Sequence, residues 1–292
     1  MLETARNRRH GVIKGGNSGH GQNVRPWESR EPGESGQALS EQEAVTFLEG
    51  RISVAAALRS PYRTVHRVLL RADRQDRAMR WLQHRAREAD VPVVLVCAAE
   101  IDAITEGKSH GGVAAEAGQR QFDQMEGLLP RGGGPAFVVM LDGIEDPFNF
   151  GQTLRALYAM GAHGVALRPR NWMSAAATVA RASAGASELM PMAVAETVAE
   201  AADFYREQGL TVACAQKENA VPMDEADLTG PLFLLVGGEK RGVTRSFVKQ
   251  ADLSLQVPYE RDGFEPSLGT TAAAAALAYE VMRQRKSALG AV

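Results

Sequence analysis

Two cysteines are the whole thiol content of this 292-residue chain, and they lie far apart. Cys97 and Cys214 sit in Val-Leu-Val-Cys-Ala and Thr-Val-Ala-Cys-Ala, with no Cys-x-x-Cys or Cys-x-x-His spacing. That argues against a zinc site and a disulfide framework, and the apolar neighbours predict two buried thiols. The six histidines form no ligand cluster, so no metal is expected. No apolar run approaches the length of a membrane span, and the N-terminus lacks a signal-peptide core. A cytoplasmic chain with no membrane contact is the expectation.

Nucleotide and hydrolase signatures are missing as well. Gly237-Gly-Glu-Lys-Arg-Gly242 lacks the Gly-x-x-x-x-Gly-Lys-Ser/Thr spacing of a phosphate loop, and no Gly-x-Gly-x-x-Gly opens a helix. Ser267 has no Gly-x-Ser-x-Gly elbow and no evident His partner, which argues against a hydrolase triad.

Net charge is only −2, but the sum conceals an uneven distribution. From Arg51 to Arg87 the cations are Arg51, Arg59, Arg63, Arg67, Arg71, Arg74, Arg77, Arg80, Arg85 and Arg87, against Asp73 and Asp76 alone. Guanidinium forks suit phosphate contacts and base stacking, so a polyanion could be met locally by a chain that is nearly neutral overall. A plain solvated helix face in an Arg-rich sequence is the competing reading.

With 45% hydrophobic residues the chain can bury one large core or two smaller ones. Residues 1–40 are rich in Gly, Arg, Asn, Ser and Glu and read as a disordered arm, in which Arg6, Arg8, Arg9 and Lys14 are either RNA contacts or a solvated tail. Ser40-Glu-Gln-Glu43 has the form of a capping box, followed by apolar Ala44, Val45, Phe47 and Leu48. A strand at Val65–Leu70, an amphipathic helix between Asp73 and Ala89 and a strand at Val91–Val96 complete a small α/β unit over 41–119. On that helix Met79, Leu82, Ala86 and Ala89 mark the buried stripe, and Arg77, Arg80, His84 and Arg87 a basic stripe beside it.

Residues 120–135, ending in Arg131-Gly-Gly-Gly-Pro135, are expected to be a linker. From 136 to 292 strands and helices alternate, which implies a parallel sheet covered on both faces. The expected helices run from Asn149 to Met160, Ala175 to Ala184, Glu196 to Gln208 and Thr270 to Arg285.

Three loops follow apolar strands in this second part, where open α/β sheets place ligand sites. They are Asp142-Gly-Ile-Glu-Asp-Pro-Phe-Asn-Phe-Gly-Gln-Thr-Leu-Arg155, Val236-Gly-Gly-Glu-Lys-Arg-Gly242 and Val257-Pro-Tyr-Glu-Arg-Asp-Gly-Phe-Glu-Pro-Ser-Leu-Gly-Thr270. Singly, each has a bland reading. Asn149 is placed to cap a helix starting at Phe150, Arg155 is a surface cation, and Ser267 precedes a helix. Gly151 would let another backbone approach, and the Gly237–Gly238 pair would give room for a flat ligand.

Jointly, in this order, the loops resemble the SpoU/TrmH branch of the SPOUT RNA methyltransferases: Asn-x-Gly-x-x-x-Arg, then Gly-x-Glu-x-x-Gly, then apolar-Pro and Ser-Leu-Asn. Arg181-Ala-Ser-Ala-Gly-Ala186 and His110-Gly-Gly-Val113 resemble further segments of that family. The resemblance implies a homodimeric SPOUT-type α/β domain with a trefoil knot, preceded by a small α/β RNA-binding domain like certain ribosomal proteins. It implies S-adenosylmethionine held by Gly237, Gly238, Val257, Pro258 and Leu268. Asn149, Arg155, Glu239 and Ser267 would surround the transfer of methyl to a ribose 2′-hydroxyl, most readily in ribosomal RNA, with Arg77, Arg80 and Arg87 as RNA contacts. Arg155 would position the ribose-phosphate and assist deprotonation. One departure stands out: Gly269 replaces the family Asn, with Thr270 or Thr271 as substitutes. A transfer-RNA 2′-O-methyltransferase and a non-catalytic RNA-binding or assembly protein of the same fold are the alternatives.

Overall fold

The structure, a computed structural model, describes residues 45–106, 110–169, 175–238, 240 and 242–290, all within one unit, Ser40–Val292. The N-terminal arm, the Ser40–Glu43 capping box and Glu239 lie outside the described residues.

The first sheet holds β1 (Thr46–Glu49), β2 (Val65–Arg71), β3 (Val93–Val96) and β4 (Val113–Ala117) in the order β1-β4-β2-β3. Only the β2–β3 pair is parallel. Helices α1 (Arg51–Ala57), α2 (Arg77–Glu88) and α3 (Ala98–Ile104) accompany it. The Asp76 carboxylate accepts the Ala78 and Met79 N–H groups and so starts α2, a cap worth about 1 kcal/mol. Met79, Leu82 and Ala86 then pack on Leu48, Val54, Val68 and Leu70.

Two expectations are corrected here. Val45–Leu48 does not belong to a helix: Thr46–Glu49 pairs with β4, and the helix begins only beyond Gly50. Cys97 is exposed rather than buried, because it caps α3, where its N–H donates to Glu100 Oε2 at 2.7 Å; Cys214 is buried as expected.

The second sheet has seven strands, all paired in parallel: β5 (Phe137–Asp142), β6 (Gly164–Leu167), β7 (Met192–Val194), β8 (Thr211–Ala215), β9 (Val221–Pro222), β10 (Leu232–Gly237) and β11 (Leu253–Gln256). Their order is β7-β6-β5-β10-β8-β11-β9. The helices are α4 (Pro147–Ala159), α5 (Ala176–Ala182), α6 (Ala186–Leu189), α7 (Val198–Glu207), α8 (Arg245–Val248) and α9 (Thr270–Ala288). Side chains alternate across each strand, so both faces must be covered. Val139, Leu141, Leu234 and Val236 meet Leu154 and Leu157 of α4 and Leu277 and Val281 of α9. Val138, Met140, Phe233 and Leu235 meet Ala201 and Tyr205 of α7 and Phe247 of α8.

Residues 123–129 pack on this sheet: Leu128 is fully buried, and Tyr205 donates its hydroxyl to the Met125 carbonyl at 3.0 Å. The α5–α6 segment joins the two sheets. Glu188 accepts Arg63 Nε at 2.6 Å, with both side chains almost fully buried, and Arg181 pairs with Glu49. Ala180 enters the core of the first sheet.

Candidate active site

Parallel pairing puts the C-terminal ends of β5, β10 and β11 at one edge of the sheet, and the three motif loops leave from there.

In the first loop the cap of α4 is Asp146, not Asn149. Its carboxylate accepts the Asn149 N–H at 2.8 Å, and Pro147 fills the first helical position, where no N–H is needed. Asn149 therefore lies inside the first turn, half-buried. Its carbonyl accepts the Thr153 hydroxyl at 2.8 Å and the Thr271 hydroxyl at 3.2 Å. Gly151 allows the α5 backbone to sit against α4, as expected: a Cβ there would come within 2.7 Å of the Val179 carbonyl oxygen and the Ala182 Cβ. Arg155 follows on the exposed side of the helix. An open cleft of about 610 Å³ runs between α4 and α9, lined by Asn149, Gln152, Arg155, Gly269, Thr271 and Ala275 among others.

The second loop folds back on itself. Gly242 donates its N–H to the Gly238 carbonyl at 2.9 Å, and a side chain at Gly237 or Gly238 would collide with the backbone of Gly242 or Gly143. The glycine pair thus admits neighbouring protein backbone. Lys240 bridges to Glu145 at 2.5 Å and clamps this loop to the first.

The third loop is held by Tyr259. Its hydroxyl donates to the Pro266 carbonyl at 3.3 Å and accepts the Leu268 N–H at 2.9 Å, while its ring meets Phe264 at 5.8 Å between centroids. Val257 is half-buried; Pro258, Ser267 and Leu268 are exposed. Ser267 is not part of the cleft lining. Gly269 precedes α9 without any side-chain cap. The next two residues tie the helix to the other loops: Thr270 donates to the Gly237 carbonyl at 3.0 Å, and Thr271 to that of Asn149. Their hydroxyls fasten the start of α9 to the other two loops.

The structure thus gathers Asn149, Arg155 and the Gly269 turn at one cleft, and Thr270 ties that turn to the Gly237 carbonyl. Arg77, Arg80 and Arg87 are exposed on α2. Sequence reasoning missed Asp146, Thr153 and Tyr259. Thr153 could have been found four residues after Asn149 on one helix face, whereas nothing in the sequence marks Tyr259 as the loop's fastener.

Comparison with known proteins agrees with this geometry. The model of the SpoU rRNA Methylase family matches residues 136–279, and that of the RNA 2′-O ribose methyltransferase substrate binding family matches 47–122. A protein of Mycolicibacterium vanbaalenii named uncharacterized tRNA/rRNA methyltransferase is 30% identical over 76% of this chain and 70% of its own length. The chain belongs to the SpoU rRNA methylase family. Another relative is the 23S rRNA (guanosine-2′-O-)-methyltransferase RlmB of Pseudomonas syringae pv. tomato, 29% identical over 80% of this chain and 94% of that protein. The chain spans 65% of the length of a Mycobacterium avium relative that is 30% identical over 69% of this chain. In fold it is similar to the SpoU methyltransferase AviRb from Streptomyces viridochromogenes, solved with AdoMet, at a TM-score of 0.68 and 21% identity over 82% of this chain and 90% of that one. An α/β SpoU methyltransferase fold with the three family loops on one sheet edge is therefore in place.

Proposed function

We propose that this chain is an S-adenosylmethionine-dependent methyltransferase that modifies a ribose 2′-hydroxyl in ribosomal RNA and works as a homodimer in the cytoplasm. The observation that carries the proposal is the cleft that holds Asn149 and Arg155 of α4 against the Gly269–Thr271 turn of α9. The RlmB relative acts on 23S rRNA by its name, and the substrate-binding match over 47–122 supports RNA as the partner. The division into arm, RNA-binding unit, linker and catalytic unit, and the trefoil knot, belong to the same proposal.

The residues present fit the cofactor. The rim formed by Gly143, Gly237 and Gly238 carries no side chains, while half-buried Val257 and exposed Leu268 offer apolar surface for an adenine ring. Because Tyr259 takes the Leu268 N–H, the backbone carbonyl of Leu268 is the atom left for hydrogen bonding there. When bound, S-adenosylmethionine supplies an activated methyl on a sulfonium. The rest falls to the chain and the RNA. As the ribose 2′-hydroxyl accepts that methyl its proton would have to leave, and the site must provide for this. Exposed Arg155 is placed to grip the adjoining phosphate with its fork and steer the hydroxyl. A guanidinium is a poor proton acceptor, so assistance from the RNA phosphate is part of its role. Asn149, Glu239 and Ser267 complete the proposed site, and Arg77, Arg80 and Arg87 the RNA contacts.

Gly269 favours a second reading, an RNA-binding protein that has lost turnover. Calorimetry with S-adenosylmethionine separates the two: binding supports the enzyme, and no binding supports the RNA-binding protein. A transfer-RNA target would appear as methylation of that RNA instead.

A further inference from the structure

Helices α1 and α2 and the turn between α5 and α6 enclose a hollow of about 320 Å³. Arg51, Ile52 and Arg59 come from α1 and its end, Trp81 and Arg85 from α2, and Ala184 from the turn. We infer that this hollow is a second RNA site, which takes one unpaired nucleotide with its base stacked on Trp81 and its phosphates on Arg51 and Arg59. The inference rests on the proposed RNA substrate but not on methyl transfer.

Four observations lead there. Trp81 is 43% exposed and Ile52 56%, and both lie on the lining of this one hollow, so they form a shared apolar surface and not two scattered exposed side chains. The volume stands near the lower end of the roughly 300–1,000 Å³ of small-ligand sites, which suits a single nucleotide. Among the described residues three guanidinium groups and no carboxylate line the hollow, so a neutral or acidic peptide gains less there than a phosphodiester. Glu88 pairs with Arg85 at 2.7 Å and satisfies that one cation from outside the lining. Lastly, the Arg51 guanidinium lies 6.0 Å from the indole centroid, at the outer limit of a cation–π contact. A base sliding onto the indole displaces that loose contact and frees Arg51 for the phosphate.

The turn that lines the hollow also packs close to the helix that lines the cleft. Ala184 follows Ser183, whose backbone N lies where a Cβ on Gly151 would reach 3.0 Å, and Gly151 shares a helix with Asn149 and Arg155. A nucleotide anchored at Trp81 would therefore fix the RNA relative to the methyl-transfer cleft. It also differs from the Arg77, Arg80 and Arg87 stripe, in that stacking reads an unpaired base and not only backbone charge.

The test is a fluorescence titration of the full chain with a short oligoadenylate, with inorganic polyphosphate as a base-free polyanion. Oligoadenylate should quench indole emission saturably. Trp81→Ala should abolish that quench and weaken binding at least about fivefold, while leaving the salt slope unchanged. Trp81→Phe should keep most of the affinity, and Arg59→Gln should lower the log–log salt slope by roughly 0.7. Circular dichroism checks that the exposed substitution leaves the fold intact. Unchanged affinity in Trp81→Ala, or equal quenching by polyphosphate, would overturn the inference. So would tighter binding of an RNA duplex than of the single strand. None of these results bears on cofactor binding, which judges the enzymatic reading separately.

Discussion

The Thr271 hydroxyl lies 2.9 Å from the Thr153 hydroxyl, and both reach the carbonyl oxygen of Asn149. This small knot of hydrogen bonds joins the start of α9 to α4, and so ties the two walls of the cleft to each other. Thr271→Val keeps the shape and removes both contacts of the hydroxyl. It should cost about 1 kcal/mol of stability and slow methyl transfer more than it weakens cofactor affinity. Urea unfolding and single-turnover rates would check this; an unchanged rate with unchanged stability would show that the contact is idle.

Arg63 and Glu188 form a buried pair, with side chains 4% and 1% exposed. Removing one partner leaves a buried charge, so Arg63→Met should destabilise by about 3–5 kcal/mol, whereas the double change to Arg63→Met and Glu188→Leu should recover much of that loss. Denaturant midpoints of the two variants decide the matter. Equal loss in both would mean that the contacts of Arg63 with the Gly118 carbonyl, at 2.8 Å, outweigh the pair.

His163 gives a pH dependence of known sign. Burial first, and the nearby Arg285 cation second, hold its imidazole below the usual 6.5. Its Nδ1 accepts the Phe137 N–H at 3.0 Å, which needs the neutral ring. The unfolded chain therefore binds the proton more readily, so this stability is complete above about pH 6.5 and is lost as pH falls through the folded value. Thermal melts between neutral and acid pH should show a smaller acid loss in His163→Gln than in the wild type. Parallel curves would assign the loss elsewhere.

Much of this layout is legible in the sequence. Alternating apolar strands and capped helices announce a parallel sheet, and the order of Asn149, Arg155, Gly237 and Ser267 announces the family. Other features are not local. Strand β1 was hidden because Thr46–Glu49 is too short to show its period, and pairing with β4 decides its state. Cys97 has apolar neighbours but caps a helix, so its exposure follows from a turn that hydrophobicity does not encode. Asp146 and Asn149 are both good caps in sequence, and only the fixed backbone of Pro147 selects Asp146.

Ala274 illustrates the same point for the proposed dimer. The Ala272–Ala276 run reads as a seam between subunits, and within it Ala274 is fully buried in its own core beside Leu277 whereas Ala272 is exposed. The exposed side of α9 also carries Tyr279, at 50% exposure. Tyr279→Arg should yield monomers by light scattering without loss of the melt. A wild-type chain that is monomeric at micromolar concentration and still methylates RNA would end the dimer proposal.

The central claim is tested most directly by incubating the chain with methyl-labelled S-adenosylmethionine and ribosomal RNA, then digesting the RNA to nucleosides. The expected result is label in a single 2′-O-methylnucleoside, lost in Arg155→Ala while cofactor affinity stays within a few-fold. Label on a base, or none at all from a chain that binds both cofactor and RNA, would contradict the account.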